Sequence, residues 1–122
     1  MFVLKGLLRA ESQENALVYL MLRGEGYARA IAAFYDMPVN PMQKQLAKLE
    51  EDSVIVSELI GRVRNYRLNP RYPFTEQLTA LLKAAVAAYP VELKNRLLVQ
   101  RTRPRQAGKP LVRAQRPKSE GE

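Results

Sequence analysis

The sequence contains no cysteine and no histidine. These absences exclude disulfides, thiol chemistry and the metal sites that Cys and His side chains form. They also remove the commonest general base of enzymes and every Cys–His or Ser–His catalytic pair. The one acidic cluster, Glu50–Glu51–Asp52, is a run of neighbours at a predicted helix end, and such side chains do not converge on one point. We therefore expect no metal, no cofactor and no enzymatic activity.

Long apolar runs are missing as well. The longest, Ala16–Leu22, has seven residues, far fewer than the roughly 20 that a helix needs to cross a bilayer. The apolar start of the chain is interrupted by Lys5 and Arg9 and is too short for a signal peptide. These features predict a cytoplasmic protein without a membrane segment.

The charge of the chain is unevenly distributed. The net charge is +8 over 122 residues; residues 1–98 contribute +3 and residues 99–122 contribute +5. With 47% hydrophobic residues, the first part is expected to fold as one domain around a single core, whereas residues 99–122 lack periodicity and are predicted to form a basic extended tail. A basic excess favours a polyanionic partner, either nucleic acid or an acidic membrane surface.

Helix signals open the chain. Ser12 is a suitable N-cap for a first helix that runs to about Arg23, and Gly24–Glu25–Gly26 ends it. A second helix is predicted over about 27–35, and Pro38 then marks a tight connection.

A third helix is predicted over about Asn40–Ser53. Asn40 is interpreted as its N-cap, Pro41 as its first helical residue and Gln43 as the partner of Asn40 in a capping box. The stripe predicted to face the core comprises Met42, Leu46 and Leu49, with Ser53 continuing it.

After the third helix, the spacing of apolar residues changes from that of a helix to that of a strand. Residues 54–60 and 63–68 are rich in β-branched and aromatic side chains and flank a short turn that contains Gly61, which predicts a β-hairpin. Two further helices are predicted over about 75–88 and 91–99.

This order of elements is typical of a winged helix-turn-helix, a mainly α fold with a small β-hairpin wing. One helix fits the major groove of duplex DNA, where each base pair displays its own donor and acceptor pattern, and the preceding helix braces it. Here the recognition helix would be about Asn40–Ser53 and the wing about Val54–Leu68.

Three stretches resemble the winged-helix regulators of the ArsR type. They are NALVYLMLRGEGYARAIAAFYDMP (15–38), NPMQKQLAKLEEDSVIV (40–56) and IGRVRNYRLNPRYP (60–73). The resemblance, which covers about half of the chain, implies a homodimeric, sequence-specific regulator of transcription that binds double-stranded DNA. Two departures stand out. Ser53 occupies a position where such regulators commonly have glycine, and the missing Cys and His argue against the metal sensing of some members.

Candidate DNA-binding residues follow by subtracting the inward stripe. On the third helix, Gln43 is placed to contact adenine, Lys44 guanine or phosphate, and Lys48 phosphate. Simpler roles stay open. Gln43 could cap the helix, the two lysines could be merely solvated, and Arg62 and Arg64 could keep the exposed hairpin edge from pairing with another strand. The candidates are Pro41, Gln43, Lys44, Lys48, Arg62 and Arg64.

Two other functions compete with DNA recognition. A winged-helix module can bind protein instead, and the acidic residues 50–52 keep that alternative open. RNA binding through the basic tail is the other. For a DNA-binding homodimer, we expect the dimer surface on the helices after Thr75 and on residues 1–10, where Val3, Leu4, Leu7 and Leu8 have helical spacing on a short piece. That piece packs either on the body or on a second subunit.

Overall fold

The computed structural model describes residues 1–99, which form five helices and a three-stranded antiparallel sheet. None of the helices in this part of the chain combines the length and apolar character that a membrane crossing requires. Residues 100–122, most of the predicted basic tail, lie outside the described residues. The elements are α1 (Glu11–Arg23), β1 (Gly26–Tyr27), α2 (Ala28–Phe34), α3 (Val39–Glu51), β2 (Ile55–Ile60), β3 (Val63–Leu68), α4 (Thr75–Ala87) and α5 (Val91–Val99).

Helix α1 is the centre of the core. Ala16–Leu20, most of the apolar run, are buried as expected, Glu14 and Asn15 are buried polar residues that the apolar run does not predict, and α3, α4 and α5 pack against the helix. The prediction of Ser12 as its N-cap was wrong. The helix begins at Glu11 after Ala10, and no side chain caps it. At the other end the Gly24 N–H donates to the carbonyl of Leu20, with φ at 88°, a conformation that favours glycine.

The first ten residues do not form the helix that their apolar spacing suggested. They form turns, and Leu4 is buried in the core. The backbone N–H groups of Val3 and Leu4 donate to the Glu14 carboxylate at 3.1 and 2.6 Å, and the Tyr89 hydroxyl donates to the same carboxylate at 2.6 Å. The segment therefore packs on the body of its own chain. Its backbone N–H groups donate to a buried carboxylate instead of to the carbonyl groups of a helix of their own.

The sheet contains a strand that the sequence analysis missed. Strand β1 pairs with β3, so the predicted hairpin β2–β3 becomes a sheet with the order β1-β3-β2. Gly26 is required here, because a Cβ atom at this position would lie 2.7 Å from Cε1 of the Tyr19 ring. Helix α2 consequently begins at Ala28, one residue later than predicted.

Helix α3 begins earlier than its sequence signals indicated. Pro38 is the N-cap residue, with φ −62° and ψ 149°, and no side chain caps the helix. Asn40 as N-cap and the Asn40–Gln43 capping box were therefore wrong predictions. Pro41 becomes the third helical residue, where its missing N–H costs nothing because the N–H groups of the first turn have no acceptor within the helix.

The far end of α3 also differs from the prediction. Met42, Leu46 and Leu49 are buried as expected, but Ser53 does not continue their stripe. The helix ends at Glu51, and Ser53 is exposed with a left-handed φ of 68°. The chain can turn there because the Val54 N–H donates to the Leu49 carbonyl at 2.9 Å.

Helices α1 and α5 lie side by side with their C-terminal ends together. Near the start of α1, Glu14 accepts the hydrogen bond from Tyr89, which lies just before α5. At the other end, the Arg23 guanidinium donates to the carbonyls of Arg96 and Leu97 at 2.9 and 3.1 Å. We call this second contact the α1–α5 junction.

Candidate nucleic-acid interface

The site predicted from the sequence lies on the outer face of α3. The inward stripe is sealed, since Met42 and Leu46 are 0% exposed and Leu49 is 5% exposed. The four candidate residues of this helix are all exposed, and no hydrogen bond or ion pair within residues 1–99 engages their side chains. They are Pro41, Gln43, Lys44 and Lys48. The helix thus presents one amide and two ammonium groups on a surface that the described part of the chain leaves uncovered.

The position of Gln43 settles one alternative. The sequence leaves two roles open for its side chain, capping together with Asn40 and contact with a base. Because Pro38 is the N-cap and no side-chain cap is present, the capping role is excluded. The amide of Gln43 is exposed and remains available to a partner.

The charge on α3 changes sign along the helix. Lys44 and Lys48 precede the acidic run Glu50–Glu51–Asp52, in which Glu51 and Asp52 are exposed at the C-terminal end. A helix N-terminus carries a partial positive charge and a C-terminus a partial negative charge. The exposed Glu51 and Asp52 therefore add to the negative end of the dipole, Lys48 in the last turn partly offsets it, and an anionic partner is attracted to the Lys44 side of α3 and repelled from its end.

The hairpin turns one of its faces towards α3. Ser57 on β2 is paired with Tyr66 on β3, and Arg64 shares their face at alternate spacing. The Ser57 hydroxyl donates to the Glu50 carboxylate at 2.5 Å, and the Arg64 guanidinium donates to the Ser57 Oγ atom at 3.1 Å. Arg64 is thus exposed but held beside the end of α3 by a chain of two hydrogen bonds.

Tyr66 fixes the base of this face in the core. It is 8% exposed, and burial raises the pKa of its hydroxyl, with the nearby Glu50 carboxylate acting in the same direction. The phenol therefore stays neutral, and the hairpin has a buried aromatic anchor.

Arg62 lies in the two-residue turn at the tip of the hairpin. Gly61 precedes it with φ at 64°, which permits the tight connection between Ile60 and Val63. Arg62 is exposed, and within residues 1–99 its guanidinium makes no hydrogen bond or ion pair. Arg62 and Arg64 thus differ, since one is unengaged at the tip and the other is tied to α3 through Ser57.

Sequence reasoning missed two features of this surface. The first is the role of Ser57 and Glu50 in joining the hairpin to α3; strand alternation puts Ser57 on the same face as Ile55, but the approach of Glu50 depends on tertiary packing. The second is an apolar hairpin tip, formed by Leu59, Ile60 and Val63 with exposures of 60, 56 and 43%. The sequence shows these apolar residues next to the predicted turn, at strand positions that are too far from the core to be buried by it.

Within the described residues, no group of three or more acidic side chains is placed to hold a metal ion. Comparison of the chain with protein-family models, curated proteins and solved structures gives no significant match. The interpretation of the α3 face and the hairpin accordingly depends on their own geometry and charge.

Proposed function

We propose that the protein is a winged helix-turn-helix regulator of transcription that binds double-stranded DNA in a sequence-specific manner. The observation that carries the proposal is the outer face of α3, where Gln43, Lys44 and Lys48 are exposed together above a fully buried apolar stripe. Glutamine matches the donor and acceptor edge of adenine, and lysine matches guanine or phosphate. In this proposal α3 is the recognition helix.

The arrangement of elements supports the proposal. Helix α2 packs against α3 and is separated from it by a four-residue connection, as in a helix-turn-helix pair. The hairpin β2–β3 follows α3 directly and extends Arg62 and Arg64 beside it. In a complex, these arginines would contact phosphates that flank the groove occupied by α3.

A homodimer is part of this proposal. One recognition helix contacts only a few base pairs, and a second copy doubles the site. The helices after Thr75 expose apolar side chains that a partner copy would cover, among them Leu81, Val91 and Leu98 at 38, 67 and 53%. When bound sequences are selected from a pool of random duplexes at physiological salt, we expect the protein to enrich a symmetric motif whose half-sites lie about 34 Å apart.

The direct test is the double substitution Lys44→Ala and Arg62→Ala. Both side chains are exposed, so folding is expected to be unaffected, whereas affinity for the selected duplex should fall at least tenfold. The slope of log K against log salt should become shallower by about 0.9 for each phosphate contact that is lost. Fluorescence anisotropy over a salt series measures both quantities.

A matched control removes two positive charges elsewhere. Lys5 and Arg9 lie in the N-terminal segment that packs on its own chain, and both are exposed. The variant Lys5→Ala and Arg9→Ala should keep the slope and the selected sequence unchanged, with sedimentation equilibrium to verify its oligomeric state. Equal affinity losses in the two double variants, or none in either, would refute the assignment of the α3 face.

The apolar tip favours one alternative function, recognition of a protein partner. Leu59, Ile60 and Val63 are exposed at the end of the hairpin, and aliphatic side chains do not bind phosphate. If the hairpin binds protein, Leu59→Ser with Ile60→Ser should abolish capture of that partner and leave duplex binding unchanged. A loss of duplex binding in this variant would instead assign the apolar tip to the DNA interface.

A further inference from the structure

One arginine of the hairpin is held by hydrogen bonds that begin on α3 itself. Glu50 lies in the last turn of α3, and its carboxylate accepts a hydrogen bond from the Ser57 hydroxyl at 2.5 Å. The Ser57 Oγ atom in turn accepts a hydrogen bond from the Arg64 guanidinium at 3.1 Å. A hydroxyl group can donate one hydrogen bond and accept others, so Ser57 makes both contacts at once. We call these residues the Glu50–Ser57–Arg64 chain.

The inner part of this chain is fixed by the fold. Glu50 and Ser57 are both half-buried, and Ser57 pairs across the hairpin with Tyr66, which is 8% exposed. Burial raises the pKa of the Tyr66 hydroxyl, the Glu50 carboxylate adds to this rise and the Arg64 guanidinium opposes it. Both charged groups therefore act on the same phenol, which anchors the hairpin in the core.

Arg64 keeps most of its hydrogen-bonding capacity for a partner. A guanidinium carries several N–H donors, and the bond to Ser57 is the one hydrogen bond that engages it within the described part of the chain. The other two arginines of the hairpin differ from it. Arg67 is paired with Glu58 at 3.3 Å, and Arg62 at the tip has no partner among the described residues. Arg64 alone is both exposed and tied to α3.

We propose that Ser57 and Glu50 are positioning residues, which preorganise Arg64 for contact with a DNA phosphate beside the groove that α3 occupies. The inference rests on the proposed function of α3 and adds how the hairpin cation is placed. Arg64 makes the contact, and the other two residues act through it. Ordering a long side chain on binding lowers affinity by up to about tenfold. Much of that loss is avoided when the side chain is already held in place.

The test is a double-mutant cycle in the full chain. Ser57→Ala removes the hydroxyl that joins the two charged groups and leaves every charge in place, while Ser57→Thr keeps a hydroxyl and suits a strand. Each is made alone and together with Arg64→Ala. A matched cycle combines Ser57→Ala with Arg62→Ala. Fluorescence anisotropy with the selected duplex over a salt series gives affinity and slope, and urea denaturation verifies folding.

Ser57→Ala should lose about fivefold in affinity with an unchanged slope, because Arg64 still neutralises its phosphate. Arg64→Ala should lose about tenfold with a slope shallower by about 0.9, and Ser57→Ala should then have no further effect. With Arg62→Ala the two losses should multiply, as for independent sites. Ser57→Thr should restore the affinity of the wild type.

Glu50 is tested by a pair of variants that both lack its charge. Glutamine keeps an acceptor for the Ser57 hydroxyl and alanine does not. Glu50→Ala should therefore bind the duplex about threefold more weakly than Glu50→Gln, and this difference should disappear in the Arg64→Ala background. Equal affinities of the two variants would remove Glu50 from the proposal.

The cycle also shows how the inference can fail. An equal loss from Ser57→Ala with and without Arg64, or no recovery in Ser57→Thr, would show a merely structural role and overturn it. Unchanged binding in Arg64→Ala would overturn it as well. The proposed function is tested separately by Lys44→Ala with Arg62→Ala. If that variant binds weakly and the cycle shows no coupling, the positioning role alone fails; if that variant binds normally, the function assigned to α3 fails.

Discussion

Cationic side chains are used in opposite ways in two regions of this molecule. At the α1–α5 junction, Arg23 and Arg96 stack on aromatic rings and donate to backbone carbonyls. On the α3 face and the hairpin tip, Lys44, Lys48 and Arg62 are exposed and have no such contacts within residues 1–99. The same charge therefore stabilises the fold in one region and is available to a partner in the other.

The difference shows why net charge alone does not locate a binding surface. A guanidinium that already satisfies helix-end carbonyls cannot leave them without cost, since buried or half-buried polar groups need partners. Lysines on a solvated helix face lose little when they move to a phosphate. Position relative to the aromatic rings and the helix ends, rather than residue type, separates the two roles.

The largest effect is expected from breaking the junction. Arg23→Ala removes two ring contacts and the hydrogen bonds to α5, so we expect the free energy of unfolding to fall by about 2–3 kcal/mol. Lys44→Ala should change it by less than about 0.5 kcal/mol, as is usual for exposed sites. Urea denaturation followed by circular dichroism measures both. Similar midpoints for the two variants would remove the distinction between the regions.

Two tyrosines with buried hydroxyl groups sharpen the comparison inside the fold. The Tyr89 hydroxyl donates to Glu14, whereas the Tyr35 hydroxyl is buried and has no hydrogen-bond partner within the described residues. Tyr89→Phe should therefore destabilise the protein by about 2 kcal/mol, and Tyr35→Phe should stabilise it by about 1 kcal/mol. The same denaturation assay gives the two signs, and a loss in both variants would show that the Tyr35 hydroxyl contributes to stability.

The two hydroxyls also predict the response to alkaline pH. Burial raises the pKa of both, and for Tyr89 the hydrogen bond to Glu14 adds to the effect. The folded chain then keeps these protons where the unfolded chain has lost them, above about pH 10. Stability is full below that pH and decreases as the pH rises beyond it. Tyr35→Phe should reduce this decrease between about pH 10 and 11, and an unchanged profile would contradict the assignment.

The smallest effect concerns the end of α3. Ser53 has a left-handed φ of 68°, which costs a residue with a Cβ about 1–2 kcal/mol, while glycine loses more backbone entropy on folding. Ser53→Gly should therefore stabilise the chain by about 0.5–1 kcal/mol. The control Ser53→Ala keeps the Cβ and should show no gain in thermal denaturation. A gain in the alanine variant would point to the hydroxyl rather than to the backbone.

Much of the fold was predictable from apolar spacing. The buried stripe of Met42, Leu46 and Leu49 and the hairpin with Gly61 in its turn follow from periods of 3.6 and 2 and are present as expected. The exposed candidates on α3 are found among the residues of the helix that remain once this inward stripe is set aside. Local patterns suffice there because each element buries one face only.

What was missed depends on contacts distant in the sequence. Strand β1 has two residues, too few for a periodic signal, and exists because it pairs with β3 about 40 residues later. The start of α3 was misplaced because Asn40 and Pro41 are good start signals, yet Pro38 in extended conformation precedes a helix that has no side-chain cap. The arrangement of residues 1–10 depends on Glu14, a buried carboxylate that no local pattern announces.

The short strand β1 has a consequence for recognition. By pairing Gly26 with Tyr66 and Tyr27 with Asn65, it attaches the hairpin to the segment between α1 and α2, and a hydrogen bond from Asn65 to Glu25 adds to this attachment. The hairpin is thus preorganised, so that little conformational entropy is lost when a ligand engages it. If the protein binds duplex DNA as proposed, a hairpin held in place beside α3 disfavours duplexes whose groove width places the phosphates elsewhere.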